Sequence, residues 1–339
     1  MTQWNRASSM MFSAFPSYTL GQPKIDTIEI RIISDPNLMV ANLIAGNVDL
    51  ALGRTVSLEQ AVEVAGRWPG GRMERPLNGL ILIYPQLLNP TPAIVADTRF
   101  RRALLNAIDR QALVDVLQYG QTSIGHSFEP PDQPEYSAIE NQIVRFDYDE
   151  RKARESLASL GYAPGADGSL RDGTGQPLRL ELRSSNVDIN QKSMYSVADY
   201  WGRVGIGVDT TTIPPERIRD QEYVATFPAL NMFRGTSPGA SWVRNWHGSR
   251  ASLPENNFQV SGNNSRYRNP DLDALIDRYF ATIPTPDRNG VLGQIVHHVT
   301  DQALMLGLFF NTDPVMIGSR LGPEVGITTW NVERWTVVG

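Results

Sequence analysis

Apolar residues recur at intervals of three and four positions between Asp97 and Leu117, and this spacing predicts helix buried along one face. Asp97 or Thr98 can cap the first turn, because a short polar side chain accepts hydrogen bonds from the first helical amides. Asp109 is placed to start a second short helix that ends before Gly120. The pattern therefore predicts a pair of amphipathic helices. Their apolar positions are Phe100, Ala103, Leu104, Ala107, Ile108, Leu113, Val116 and Leu117.

Elsewhere the chain alternates strand-like with helix-like stretches, which favours an α/β fold. Runs of β-branched residues predict strands, and Asp or Asn followed by proline predicts a helix start. Residues 28–52 are expected to form a βαβ-like unit, and the proline-rich segment 121–136 to run over the surface as an ordered loop. Strands are predicted over 28–33, 48–52, 178–183, 208–213, 229–234 and 306–310, with a strand pair near 72–84. Helices are predicted between Asp35 and Gly46, over 58–68, after Asp149, from Met194 to Val204, and over 272–280 and 291–304.

Three segments carry a resemblance to a known family. Residues 100–117, FRRALLNAIDRQALVDVL, resemble the "vRqAlnyAiDReaiv" segment of the family 5 extracytoplasmic solute-binding proteins, the peptide- and nickel-binding components of ABC importers. Residues 23–52 are similar to the family's strand, helix, strand unit ending in "aGeVDi". Residues 146–162, FDYDERKARESLASLGY, are similar to its "yDpekAkalLaeaGy".

The resemblance implies an α/β, periplasmic binding protein-like fold of two lobes, of type II and cluster C-like. Residues 1–95 are expected to be a remnant of the first lobe, completed by 311–339, and residues 96–310 to form the second lobe. Only 22 residues precede the segment that starts at Pro23, where the family has a long N-terminal part. We therefore expect a fragment whose first lobe is incomplete.

Composition narrows the function classes. The 339 residues include 31 Lys and Arg and 36 Asp and Glu, a formal charge of -5, which gives no electrostatic footprint for nucleic acid or an anionic membrane. The lack of cysteine excludes disulfides, thiolate nucleophiles and cysteine metal sites. No run approaches the roughly 20 apolar residues of a membrane span, and residues 1–15 lack the pattern of a signal peptide.

Signatures of catalysis are also missing from the sequence. It contains no HExxH, GxSxG, P-loop or GxGxxG motif. His297 and His298 are adjacent on a predicted helix and point in different directions, so they cannot face one metal together. Asp271, Asp273 and Asp277 are explained by a helix N-terminus and a solvated face. We expect no catalytic residue, no metal site and no cofactor.

The stretch 229–249 is the candidate for ligand binding, because an apolar strand there leads into a glycine- and proline-containing loop. On this loop Trp242 and Trp246 offer large rigid contact area, Arg234 and Arg244 offer planar forks for a carboxylate, and His247 adds a donor. One tryptophan packing against the base of the loop is the alternative.

Asn231, Asn264 and Tyr267 complete the candidate set. Asn264 and Tyr267 lie in a stretch that resembles the family's "gNnsgYsnpelD", where the alternative is that these side chains satisfy loop backbone. Many peptide binders of the family hold the ligand's amino terminus with an Asp-Pro carboxylate, yet no acidic residue lies between Met232 and His247. This departure favours sugars, modified peptides or other neutral solutes over a peptide with a free amino terminus.

We interpret the chain as the solute-binding component of an ABC importer, not an enzyme. It is expected to capture an oligopeptide or similar small solute in a cleft between the lobes and to deliver it to the permease. The parent protein is expected to be periplasmic or extracytoplasmic, held at the membrane by the transporter. A carrier of a sugar or a nickel or metal chelate is the alternative, and a hydrolase on the same fold is the third.

Overall fold

The fold is described from a computed structural model, covering residues 1–52, 55–259, 262–326 and 329–338. The chain divides into two compact units. The first comprises Met1–Leu77 and Thr312–Gly339, and the second comprises Asn78–Asn311. Residues 78–95, expected in the first lobe, therefore belong to the second unit.

The secondary structure alternates through the chain. The strands are β1 (Gln3–Asn5), β2 (Ser9–Ser13), β3 (Thr27–Arg31), β4 (Leu50–Ala51), β5 (Arg72–Glu74), β6 (Leu77–Pro85), β7 (Ala163–Pro164), β8 (Leu170–Arg171), β9 (Arg179–Ser184), β10 (Gly207–Thr212), β11 (Leu230–Thr236), β12 (Leu306–Thr312) and β13 (Val315–Ile317). The helices are α1 (Pro36–Ile44), α2 (Leu58–Ala65), α3 (Thr98–Asn106), α4 (Arg110–Leu117), α5 (Tyr136–Ile139), α6 (Glu150–Ser159), α7 (Asp188–Arg203), α8 (Gln221–Ala225), α9 (Pro270–Ala281) and α10 (Thr285–Asp301).

The second unit is built on a five-stranded sheet with the order β10-β9-β11-β6-β12. β9 pairs in parallel with β10 and β11, whereas β11 and β6 are antiparallel. A buried sheet flanked by helices is the α/β arrangement that the alternation predicted. The predicted strand pair near 72–84 is wrong, because β5 pairs with β13 in the first unit and β6 pairs with β11.

The helix pair predicted at 97–117 is confirmed as α3 and α4. Asp97 and Asp109 cap the two helices, accepting hydrogen bonds from the amides of Arg99 and Ala112. Phe100 and Leu104 are fully buried in the main core of the second unit, together with apolar residues of β6, β9, β11, α6 and α7. The helix pair therefore forms one wall of that core.

Two arginines of the motif-bearing helices are buried structural residues. Arg101 is almost fully buried, and Arg110 donates to the carbonyl oxygens of Gly307, at 3.1 Å, and Phe146. Burial, partly offset by Asp147, lowers the pKa of Arg110 to about 10, so it stays charged at neutral pH. These arginines fix loop and strand backbone against α3 and α4.

The first unit contains two small sheets, with the orders β1-β2-β3 and β4-β13-β5. Because β3 and β4 lie in different sheets, the predicted βαβ-like unit over 28–52 is wrong. The helix between them is confirmed, and Asp35 caps it by accepting hydrogen bonds from Asn37 and Leu38. A cavity of about 250 Å³ in this unit is lined by apolar residues that include Phe12, Phe15 and Trp330.

The segment 121–136 runs over the surface only in part, because residues 131–134 are exposed whereas residues 125 and 127–130 are buried. Ile124 forms a bridge with Phe309 of β12, and the amide of Gly125 donates to the carbonyl of Leu308 at 3.1 Å. The sequence could not show this, because the segment lacks periodicity and contacts a distant strand.

Candidate functional site

The candidate site is built on the strands β6 and β11, whose register places Tyr84 opposite Asn231. Alternation sends Ile83 and Met232, the neighbouring pair, into the main core. Tyr84 and Asn231 therefore lie on the other face of the sheet. Phe233 extends that face, with its ring centroid 5.7 Å from that of Tyr84.

The segment after β11 folds back as a short 3₁₀ helix, Ala240–Trp246, and does not form an open loop. Trp242 packs over Gly235, where an added Cβ would come within 2.0 Å of the indole ring. The indole Nε1 of Trp242 donates to the carbonyl oxygen of Thr236 at 3.1 Å. Trp242 is only 7% exposed, and its expected role in ligand binding stays a prediction. The alternative, a tryptophan packed against the base of its own loop, is confirmed.

Trp246 packs on the face of β6 and β11 that carries Tyr84 and Asn231. Its ring centroid lies 6.1 Å from that of Tyr84 and 6.1 Å from that of Phe128, and the residue is 1% exposed. Trp246 is thus buried, and its expected role in ligand binding stays a prediction. Its indole Nε1 is nevertheless buried without a hydrogen-bond partner among the described residues. A buried donor left unpaired carries a cost of about 1–3 kcal/mol, so it calls for an explanation.

Two polar side chains, those of Asn231 and Asn264, lie next to Tyr84 in the aromatic group formed by Tyr84, Phe128 and Trp246. Asn231 is buried and its Oδ1 has no partner in the described part of the chain. Burial raises the pKa of Tyr84, and a hydrogen bond from Asn264 opposes that shift. Asn264 and Asn231, both candidates from the sequence, are thus brought together by Tyr84.

Glu129 is the residue that the sequence reasoning missed. The side chain is 1% exposed, and neither carboxylate oxygen has a hydrogen-bond partner within the described ranges. An added Cβ on Gly239 would lie 3.8 Å from Oε1, so the carboxylate lies beside the residue that starts the tryptophan helix. Burial, with smaller contributions from the charges of Glu135 and Asp132, raises its pKa to about 8.

No periodic signal marks Glu129. The only hint in the sequence is an acidic residue between Phe128 and the prolines Pro130 and Pro131. Its backbone is fixed locally, because the hydroxyl of Ser127 donates to the Glu129 carbonyl and accepts from the Glu129 amide, both at 3.2 Å.

Arg234 and Arg244 have separate environments. Arg234 is half-buried, and its guanidinium donates to Asn78 Oδ1 at 3.3 Å. Arg244 is exposed and stacks over the ring of Phe280 on α9, 4.9 Å from the centroid. Arg244 therefore contacts α9.

His247 and Tyr267 also contact other elements. The Nδ1 of His247 accepts from the Ser249 amide at 3.1 Å, while Nε2 lies 3.6 Å from a carboxylate oxygen of Asp277. The hydroxyl of Tyr267 lies 3.0 Å from Nε2 of His298. None of these contacts joins His247 or Tyr267 to Tyr84, Phe128 or Trp246.

In the loop that precedes α9, the Asx-type alternative describes Asn263, whereas the side chains of Asn264 and Tyr267 hydrogen-bond to Tyr84 and His298. Asn263, adjacent to Asn264, donates to the carbonyl oxygens of His247 and Tyr267 and accepts from the Tyr267 amide at 3.0 Å. This amide side chain is fully used in holding loop backbone.

Metal-binding clusters and membrane-spanning helices are both absent from the part of the chain that the structure describes. Among the described residues, no group of three or more His, Cys, Asp and Glu is arranged to hold a metal ion. Within the same residues, no helix combines the length and apolar character needed to cross a membrane.

The comparison with family models is decisive. A model described as bacterial extracellular solute-binding proteins, family 5 Middle, matches residues 1–288. This chain belongs to that family. The resemblance carried by residues 23–52, 100–117 and 146–162 is confirmed.

Relatives of this family 5 chain differ in what their names say they bind. It is 22% identical over 213 residues to the oligopeptide-binding protein AppA of Bacillus subtilis, covering 62% of this chain and 38% of AppA. It is 25% identical over 317 residues to the nickel-binding periplasmic protein of Escherichia coli, covering 90% of this chain and 56% of that protein. The chain therefore spans about half or less of the length of these relatives.

A solved structure shows the same fold. NikA from Brucella suis, in complex with Fe(III)-EDTA, matches 99% of this chain and 67% of its own, with a TM-score of 0.80 at 19% identity. The periplasmic binding protein-like α/β fold predicted for the family 5 chain is confirmed by this likeness.

Proposed function

We propose that this family 5 chain belongs to the solute-binding component of an ABC importer. In this proposal it captures an oligopeptide or similar small solute and delivers it to the membrane permease, without chemistry of its own. The parent protein would work in the periplasm or outside the cytoplasmic membrane. Family membership supports the role, and the oligopeptide-binding relative supports the ligand class.

The observation that carries the proposal is the unpartnered indole N–H of Trp246. Binding sites for small molecules combine aromatic walls with a few polar groups that fix the ligand's orientation. Tyr84, Phe128 and Trp246 supply such walls, and the Trp246 N–H and Asn231 Oδ1 supply one donor and one acceptor. A solute amide carries the complementary acceptor and donor. The expected cleft between lobes stays a prediction.

Isothermal titration calorimetry on purified residues 1–339 tests this proposal with a defined pool of tri- to pentapeptides. Trp246→Phe keeps the aromatic contact and removes the N–H, so it should weaken binding about two- to twelvefold, the equivalent of one hydrogen bond of ~0.5–1.5 kcal/mol. Trp242→Phe is the matched control, because that indole N–H already has an internal partner. Equal loss of affinity in both variants would remove Trp246 from the binding site.

A metal chelate is the second candidate solute. It is favoured by the nickel-binding relative from Escherichia coli, and by the solved structure of NikZ from Campylobacter jejuni in complex with Ni(L-His), which matches 99% of this chain with a TM-score of 0.78. Titration with Ni(L-His) in the same calorimeter separates the two candidates. Binding of this complex without binding of the peptide pool would replace the oligopeptide as the proposed solute.

A further inference from the structure

The Glu129 carboxylate occupies an unusual environment for an acidic side chain. Both oxygens are buried and neither has a hydrogen-bond partner among the described residues. Buried carboxylates are normally paired with a cation, a metal or several N–H donors, because burial without a partner is costly. The fold retains this acid in a position that a neutral side chain of similar size would fill at lower cost.

The surroundings of Glu129 connect it to the candidate site. Its carboxylate lies beside Gly239, at the start of the 3₁₀ helix that carries Trp246. The preceding residue, Phe128, packs against the Trp246 ring at 6.1 Å between centroids. A buried carboxylate without an internal partner suits a cation, because the two opposite charges form strong hydrogen bonds when they pair.

We propose that Glu129 binds a cationic nitrogen group of the solute, an ammonium or a guanidinium. This inference rests on the proposed function, since it names the chemical class that the solute-binding chain selects. The carboxylate is the residue that gives selectivity for charge, while the indole N–H of Trp246 and the amide of Asn231 orient the neutral part of the solute.

Access to the carboxylate requires a shift of the segment that covers it. Ser237 has a φ of 48° and Gly239 a φ of 135°, so positive φ values lie on both sides of Pro238. A positive φ at a residue other than glycine is a strained conformation, and such strain is concentrated in segments that rearrange with ligands. In this proposal, the segment from Ser237 to Gly239 shifts when the cation enters.

Proton release is a second consequence. Because the pKa of Glu129 is raised to about 8, the acid is mostly protonated at pH 7 in the free protein. A cation in contact favours the ionised form, so the proton leaves as the cation binds. The charges of Asp132 and Glu135 act on Glu129 in the opposite direction, and Tyr279 is a further titratable group that interacts with it.

Matched probes test the selectivity for charge. The first pair is N-acetyl-Gly-Arg-Gly-amide and its citrulline counterpart, which differ only in the charge of one side chain. The second pair is trialanine and N-acetyl-trialanine. The wild-type chain should bind the cationic member of at least one pair ten times more tightly, and Glu129→Gln should reduce that preference to less than threefold. Asp132→Asn, which removes an exposed carboxylate in the same segment, should keep it.

Calorimetry at pH 7 in phosphate and in Tris measures the released proton, because the two buffers differ in ionisation enthalpy. Binding of the arginine peptide should release close to one proton from the wild type and none from Glu129→Gln. Circular dichroism melting of the variant shows that it is folded. An equal preference for the cation in wild type and Glu129→Gln, or equal binding of charged and neutral probes by the wild type, would overturn the proposal.

Different outcomes overturn the solute-binding function and the role of Glu129. Binding of neutral peptides or Ni(L-His), without preference for a cation, leaves the solute-binding function standing and overturns the role of Glu129. If the wild type binds neither pair, nor the peptide pool, nor Ni(L-His), both proposals are overturned.

Discussion

The guanidinium of Arg101 on α3 donates a hydrogen bond of 3.0 Å from Nε to the carbonyl oxygen of Ala303, beyond the end of α10. The same side chain donates to the carbonyl oxygens of Gln302 at 2.6 Å, Val95 at 3.0 Å and Ala96 at 2.7 Å. One side chain on α3 thus binds two stretches of backbone, residues 95–96 just before the helix and residues 302–303 just after α10. An arginine of the family motif therefore has a structural role in this chain.

Replacing Arg101 by Lys should lower the free energy of unfolding by about 2–4 kcal/mol. A lysine ammonium has three donors from one point and cannot reach all of these carbonyls, so buried acceptors lose their partners. Urea denaturation measures the change. Arg99→Lys is the control, because Arg99 is exposed and pairs only with neighbouring Asp97, so a change within ~0.5 kcal/mol is expected. Similar stability of both variants would show that the Arg101 contacts contribute little.

Leu104→Ala should cost about 2–5 kcal/mol of folding stability. Leu104 is fully buried on α3 in the main core, and removal of its side chain leaves a cavity that the surrounding helices and sheet fill only in part. Val116→Ala on α4 is the control, because Val116 is 72% exposed. Chemical denaturation of the two variants side by side checks this, and a small loss for Leu104→Ala would contradict tight packing around α3.

The sequence predicted this helix pair well, because its signals are local. Asp97 and Asp109 cap the helices, and the apolar spacing that includes Phe100 and Leu104 follows the helical period. Sheet membership was predicted less well. β3 and β4 look like partners along the chain, yet β4 pairs with β13, more than 260 residues later. Such pairing depends on contacts between distant segments that no local pattern encodes.

The candidate site shows the same division. The composition of the segment around Trp242 and Trp246 marks it as a candidate for ligand binding, and that role stays a prediction. Its glycines suggest a loop in the sequence, but composition alone does not show how that loop packs. Gly235 is instead required by close packing, because the Trp242 ring occupies the space of a side chain. Glu129 could not be found at all, since it lies in a segment without periodicity and its neighbour Gly239 is more than 100 residues away in sequence.

Gly235→Ala should lower stability by about 1–3 kcal/mol. The added methyl group would lie within 2.0 Å of the Trp242 ring, so the ring or the strand must shift. Gly202→Ala on α7 is a matched control, since nothing lies within 4 Å of its added Cβ and alanine favours the helix. Thermal melting should therefore show a loss for position 235 and no loss, or a gain of ~0.5–1 kcal/mol, for position 202. No loss of stability in Gly235→Ala would contradict the close packing of the Trp242 ring against Gly235.

The pH dependence of stability should report the burial of Glu129. Its pKa is raised from an ordinary value of 4.5 to about 8 in the folded chain, so the unfolded state ionises first as pH rises. The stability that the protonated acid contributes is fully present below pH 4.5. It is lost progressively between pH 4.5 and 8, and the loss levels off at higher pH.

Glu129→Gln removes this titration, because glutamine is neutral and of similar shape. The variant should be about as stable as the wild type near pH 4.5 and more stable at pH 8, since only the wild type must then hold an ionised, unpaired carboxylate in the interior. Urea denaturation at several pH values measures the difference. Asp132→Asn should keep the pH dependence and shift it slightly to lower pH, because the Asp132 charge helps to raise the pKa of Glu129. A constant difference in the free energy of unfolding between wild type and Glu129→Gln from pH 4.5 to 8 would show that Glu129 ionises normally. The description of Glu129 as a buried, unpartnered carboxylate would then be wrong.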